Sequence, residues 1–193
     1  VPPAGVGIKG WLLDRIPNAT HLHLACHGEA DPHDPLNSHF TLGPNLRVTV
    51  SDISALDATS LELVVATSCQ SGVLDLRAPE EYVGLGPALL AAGARSVIAA
   101  LWDIDDLGTS LIVARFYFEL ALDTDPEIAL GRARRWTAAV TSDDIRRAAD
   151  QDSWIPDALR GELRAICLHP ALRNPDARPF SSPAHWAGLM YLS

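Results

Sequence analysis

A cysteine and a histidine set the chemistry that this sequence can support. Cys69 lies in Thr67-Ser68-Cys69-Gln70-Ser71-Gly72, directly after the apolar run Leu61-Glu62-Leu63-Val64-Val65-Ala66. His27 ends a second stretch of the same kind, Thr20-His21-Leu22-His23-Leu24-Ala25-Cys26-His27-Gly28. Each reads as a buried parallel strand that stops at small polar residues and a glycine. The carboxyl ends of such strands are where open α/β sheets place their ligand crevices. Two neighbouring strands ending at His27 and Cys69 would set an imidazole beside a thiol, the arrangement that a cysteine nucleophile requires. An unperturbed thiol, with a pKa of about 8.5, is mostly protonated at neutral pH, and a nearby histidine raises its thiolate share. Attack on a carbonyl also needs donors for the developing oxyanion. The backbone amides of Gly28 and Cys69 are the candidate pair, because a glycine turn lets the chain approach a substrate closely. His27 would then pass a proton to the leaving amine. None of this chemistry calls for a metal or an organic cofactor.

The elements that must position these residues alternate between strand and helix. A short helix is expected over Ile8 to Ile16, broken by Pro17-Asn18, and the strand to Cys26 follows. Asp31 to Asn37 is dense in turn residues. His39-Phe40-Thr41-Leu42 and Arg47-Val48-Thr49-Val50 flank Gly43-Pro44-Asn45 as a hairpin. Ser51 or Asp52 is expected to cap a helix. After Gly72 a loop leads to a helix over about Glu80 to Ala92, with acids in its first turn and Gly93 past its end. Ser96 to Leu101 is another buried strand, ending at Trp102-Asp103. Helices are expected over about Asp105 to Leu122 and from Pro126 to about Val140, with a third capped near Ser142 to Asp144. Cys167 to Pro183, with four prolines, reads as irregular, and His185 to Leu192 as a last strand. The pattern predicts a mostly parallel sheet covered by helices on both faces. Residues 1–7 read as a linker or a cut end.

The totals exclude several classes. The chain has 193 residues, enough for one domain with a real core, and 48% of them are apolar. A net charge of −9 argues against nucleic acid as the main partner. Three cysteines in no framework spacing read as free thiols of a reducing compartment. Neither a leader nor an apolar run long enough to span a bilayer is recognisable, so a cytoplasmic location without membrane contact is expected.

Taken in order, His27-Gly28, then Ser68-Cys69-Gln70-Ser71-Gly72, then Gly84 to Val97, then Ala100-Leu101-Trp102-Asp103-Ile104-Asp105-Asp106, resemble the CHAT domains. These are caspase- and separase-like cysteine peptidases of the caspase–gingipain superfamily. Pro183-Ala184-His185-Trp186-Ala187-Gly188 is similar to the family's closing motif. The spacing from His27 to Cys69 is also near the value of about 50 residues noted for caspases. The resemblance implies a three-layer caspase-like α/β fold spanning residues 1–193. It also implies a His27–Cys69 dyad, peptide or protein substrates, and a regulated effector tied to a sensor or helical-repeat region. Bacterial defence or regulated proteolysis is the implied setting. Family domains begin with one or more strands before the first helix seen here. Either the sheet lacks an edge strand, then, or a partner piece supplies it. Residues 143–182 have no counterpart in the family pattern.

Asp103, Asp105 and Asp106 follow a strand of the same sheet. With Trp102 as a wall they would favour a basic side chain before the scissile bond; as plain helix caps, Asp105 and Asp106 would do nothing more than start the next helix. A non-catalytic scaffold on the same fold is the alternative function. A zinc site on His21, His23 and His27, which fall on one face of their strand by alternation, perhaps with Cys69, is a weaker one. Cys26 and Cys167 read as structural thiols and His33 and His39 as surface loop residues. Trp186 is expected to close the core from the last strand. Arg132, Arg134, Arg135, Arg146 and Arg147 read as solvated charge.

Overall fold

The computed structural model describes residues 7–31, 33–67, 84–102, 105–122 and 124–193. The chain divides into two compact units, residues 1–103 with 189–193, and residues 104–188.

The first unit opens with α1 (Ile8–Leu13) and a 3-10 turn at Ile16–Asn18. There follow β1 (His21–Leu24), β2 (His27–Glu29), β3 (His39–Gly43), β4 (Leu46–Thr49), α2 (Val50–Ser54), β5 (Leu63–Ala66), α3 (Leu85–Ala91), β6 (Val97–Ala100) and β7 (Leu189–Leu192). Among the described residues the main sheet has the order β1-β5-β6-β7. β1, β5 and β6 are parallel, and β7 closes the edge antiparallel to β6. Val64, Ala66, Val97 and Ala99 share one core with Val50, Ile53, Leu85 and Leu89 from the helices. Leu63, Val65, Ile98 and Ala100 point to the opposite face and are buried as well. Burial on both faces is why these strands read as continuous apolar runs. The result is the expected α/β class, a mostly parallel sheet flanked by helices as in a caspase-like three-layer fold.

The stretch from Thr20 to Gly28 is not one strand. Its partner β5 ends at Ala66, opposite Leu24, and beyond that point the backbone must find other hydrogen bonds. It finds them in β3, so β2 joins a separate antiparallel sheet of order β2-β3-β4. His27 therefore shares neither strand nor sheet with His21 and His23. The helix after β4 is capped by Thr49 rather than by Ser51 or Asp52. Thr49 Oγ1 accepts from the Asp52 amide, and Asp52 Oδ2 accepts from the Thr49 amide. Lys9, the sole lysine of the sequence, pairs with the same carboxylate at 2.6 Å. The expected start of the helix before Gly93 lies outside the described residues, but its end is as read. Gly93 adopts φ 112°, and its amide and that of Ala94 return to the Leu90 and Leu89 carbonyls.

The second unit is helical: α4 (Asp106–Leu120), α5 (Pro126–Ala139), α6 (Ser142–Gln151) and α7 (Asp157–Leu168). Leu111, Val140, Ile145, Ala149, Leu159 and Leu163 lie at its centre. Asp125 caps α5, with Pro126 in the first turn. Thr141, not Ser142, caps α6, through a reciprocal box with Asp144. Cys167 is buried at the end of α7, where an irregular segment was expected. Several arginines read as solvated charge have structural partners. Arg146 donates to the carbonyls of Cys167 and Leu172, satisfying acceptors that a helix end leaves open. Arg132 reaches Glu119, and Arg134 is half-buried, which lowers its pKa. Arg115 pairs with Glu119 and lies against the rings of Phe118, Trp136 and Trp154. The segment before β7 is a 3-10 turn, Pro183–His185. Trp186 lies outside the strand, half-buried, with its indole N–H on the Ser181 carbonyl.

Candidate active site

The site grows from the carboxyl ends of β1 and β5. Leu24 stands opposite Ala66, and the Thr67 amide donates to the Leu24 carbonyl at 3.2 Å. The two segments that carry the candidate dyad therefore leave the sheet side by side. From Leu24 the chain passes Ala25 and Cys26 and enters β2 at His27. Cys26 packs against the first core as a partly buried thiol. His27 is exposed, opposite Thr41 of β3, and its ring has no partner among the described residues. Gly28 lies opposite Phe40, which is 1% exposed. Cys69 and Asp103 lie outside the described residues.

A polar rung stands beside His27. Glu29 and His39 are direct cross-strand partners, with His39 opposite Thr49 on its other side. His39 is buried, not a surface loop residue. Its Nδ1 is 3.0 Å from the Asn37 carbonyl, and its Nε2 is 3.7 Å from a Glu29 carboxylate oxygen. His33 is exposed, as expected. The sequence signal for the rung is the alternation itself: Phe40 faces the core, so His39 and Thr41 share the other face with His27 and Glu29. What reading by residue type could not supply was the turn Pro35–Asn37, which brings the Asn37 carbonyl onto the His39 ring.

In the helical unit Asp105 caps α4, with Oδ1 accepting from the Gly108 amide at 2.8 Å. Its Oδ2 accepts from His185 Nδ1 in a short bond. Phe180 meets the His185 ring edge to face at 5.6 Å. Asp106 is exposed in the first turn of the helix. Of the residues considered for substrate binding, Asp105 thus has both oxygens engaged. Trp102, read as a pocket wall, is 39% exposed. In the sequence His185 stands out only as part of the closing motif, and its carboxylate partner lies far away in sequence. Among the described residues no group of three His, Cys, Asp or Glu could hold a metal ion, and no helix is long and apolar enough to cross a membrane.

No curated protein matches the chain. The model of the CHAT domain family matches residues 8–193. That match takes in nearly every element described above, from α1 to β7, and with it the chain belongs to the CHAT domain family, whose fold and ancestry are those of caspase-like cysteine peptidases.

Proposed function

We propose that the chain is a cysteine endopeptidase with Cys69 as nucleophile and His27 as general acid and base. The observation that carries this reading is the adjacency of the two segments. The Thr67 amide binds the Leu24 carbonyl; Cys69 follows Thr67 by two residues and His27 follows Leu24 by three. A residue of chain spans at most about 3.6 Å, so both groups stay within a short tether of one point on the sheet edge. The thiol gives its proton to His27, and the sulfur bonds to the scissile carbonyl carbon. The oxyanion is held by the Gly28 and Cys69 amides. Collapse of the tetrahedral adduct breaks the C–N bond, the amine leaves with the proton from His27, and a thioester remains. Water, deprotonated by His27, then releases the acid and restores the thiol. A basic residue before the scissile bond is part of the proposal. Because Asp105 is committed to Gly108 and His185, Asp103 is its carrier, with Trp102 as a wall. A cytoplasmic effector coupled to a sensor or helical-repeat region completes the reading, on the strength of the family alone.

A panel of fluorogenic peptides with Arg, Lys, Asp or Leu before the cleavable bond tests it. Turnover that vanishes in Cys69→Ala and falls by at least about a hundredfold in His27→Ala is expected, the scale of general acid–base catalysis. Turnover unchanged in Cys69→Ala refutes the dyad. No turnover by the intact protein, with binding of the same peptides retained, would make the fold a docking module instead.

A further inference from the structure

The rung formed by Glu29 and His39 is not used by the mechanism above, yet it pins the strand that begins with His27. β2 is three residues long and lies at the edge of its sheet. Strands this short have little stability of their own, so side-chain contacts at the far end weigh on where His27 sits. A carbonyl can only accept, so the contact of His39 Nδ1 with the Asn37 carbonyl places the ring proton on Nδ1. In the neutral ring Nε2 is then a bare acceptor. It is buried without a hydrogen-bond partner, and the group it faces, 3.7 Å away, is the Glu29 carboxylate. Two acceptors confront each other. Adding a proton to Nε2 turns that confrontation into a charge-assisted hydrogen bond.

The charged surroundings point the same way. Glu29 approaches from β2. Asp31, fixed by the amides of His33 and Asp34, is the second carboxylate that acts on the ring. β4 offers only Thr49 opposite, and from α2 the Asp52 carboxylate is held by Thr49 and Lys9. Arg47 lies on the next rung, opposite Thr41.

We propose that His39 is a positioning residue for His27: its imidazole, on gaining a proton, ties the Asn37 carbonyl to Glu29 and locks β2 against β3. The contact closes when the ring gains a proton and opens when it loses it. The inference rests on the peptidase reading for its consequence, since a locked β2 holds His27 ready, but its geometry is independent of that reading.

Amide hydrogen exchange separates the two. Rates for His27, Gly28 and Glu29, corrected for intrinsic exchange, are measured at about pH 5.5 and about pH 8. The wild type is expected to show about three- to tenfold more protection at the acid pH, the lower end of a charged hydrogen bond because Glu29 is largely exposed. Glu29→Gln is expected to give high protection at both values, because the amide can donate to the neutral Nε2. His39→Leu is expected to give low protection at both. Glu29→Gln changes an exposed side chain, so it remains informative if the buried substitution does not fold. Protection in Glu29→Gln that is low, or that varies with pH as in the wild type, overturns the proposal. In peptide hydrolysis, kcat should follow protection while KM stays constant. The expected protection pattern in a protein without turnover would sink the peptidase reading and leave the lock standing. Turnover with pH-independent protection in the wild type would do the reverse.

Discussion

Replacing Gly93 with alanine should destabilise the first unit sharply, and the structure says by how much. Gly93 ends α3 at φ 112°, a region where a Cβ costs about 1–2 kcal/mol. The added carbon would also lie 2.7 Å from Thr59 Cγ2, 3.0 Å from its amide nitrogen and 3.2 Å from its Cα. Two of these three atoms are backbone, and that backbone cannot easily retreat. Thr59 donates its amide and hydroxyl to Asp57 at 3.1 and 2.7 Å, and the adjacent Ala58, fully buried, donates to the Ala92 carbonyl. Overpacking of this kind adds about 1–3 kcal/mol, for a total of about 2–5 kcal/mol. At about 2–4 °C per kcal/mol for a chain of this size, the melting temperature should fall by about 4–20 °C. Gly10→Ala is the control. It lies in α1 of the same unit with nothing within 4 Å of the added carbon, and should gain about 0.5–1 kcal/mol. Urea and thermal unfolding followed by circular dichroism measure both. Gly93→Ala within 0.5 kcal/mol of wild type, on the scale of an ordinary surface change of about that size, would show that the turn yields and that the argument from fixed backbone is wrong.

Other outcomes follow from the helical unit. Thr141→Ala should cost about 1 kcal/mol at neutral pH through loss of the α6 cap. The Thr141 hydroxyl and amide hold the Asp144 carboxyl below its usual range, so this contribution is present above the unfolded carboxylate pKa and is lost as pH falls through the lower folded value. The gap between variant and wild type in urea melts should therefore shrink in acid. Burial pushes the Cys167 thiol up, against a smaller opposing effect of Arg146. Its alkylation in the native protein, read site by site by mass spectrometry, should be at least about tenfold slower than in urea. Gly108→Ala would set a carbon 2.7 Å from Asp105 Oδ2 and 3.3 Å from the His185 carbonyl. The imidazole resonances of His185 should shift as the Asp105 bond opens, whereas an unmoved signal would show that the cap rotates without releasing the ring.

Much of the fold was legible because burial on both faces writes itself as uninterrupted Val, Ile and Ala. β5 and β6 were read from such runs, and α5 from Asp125-Pro126. The division of Thr20 to Gly28 into β1 and β2 was not legible, because it depends on where β5 ends and β3 begins, which are non-local facts. His39 read as surface for the same reason: its burial comes from neighbours across the sheet and from the turn before it, not from its own type. Arg132 and Arg146 misled because long side chains can reach carboxylates and carbonyls on other elements while their stems cover apolar surface; Arg135 and Arg147 are exposed as read. For the site, His27 and the segment leading to Cys69 were legible from residue type and position, while the pairing of Asp105 with His185 needed three dimensions to be seen.

The indoles gathered around Arg115 have a practical use. Trp136 and Trp154 meet edge to face with centroids 5.3 Å apart, close enough for their excited states to couple. That coupling gives the helical unit an optical signature in the far-ultraviolet; among the described residues Trp11 and Trp102, in the other unit, have no such ring pair. Replacing either Trp136 or Trp154 by phenylalanine erases it, so melting of the helices can be followed separately from melting of the sheet, without attaching a dye.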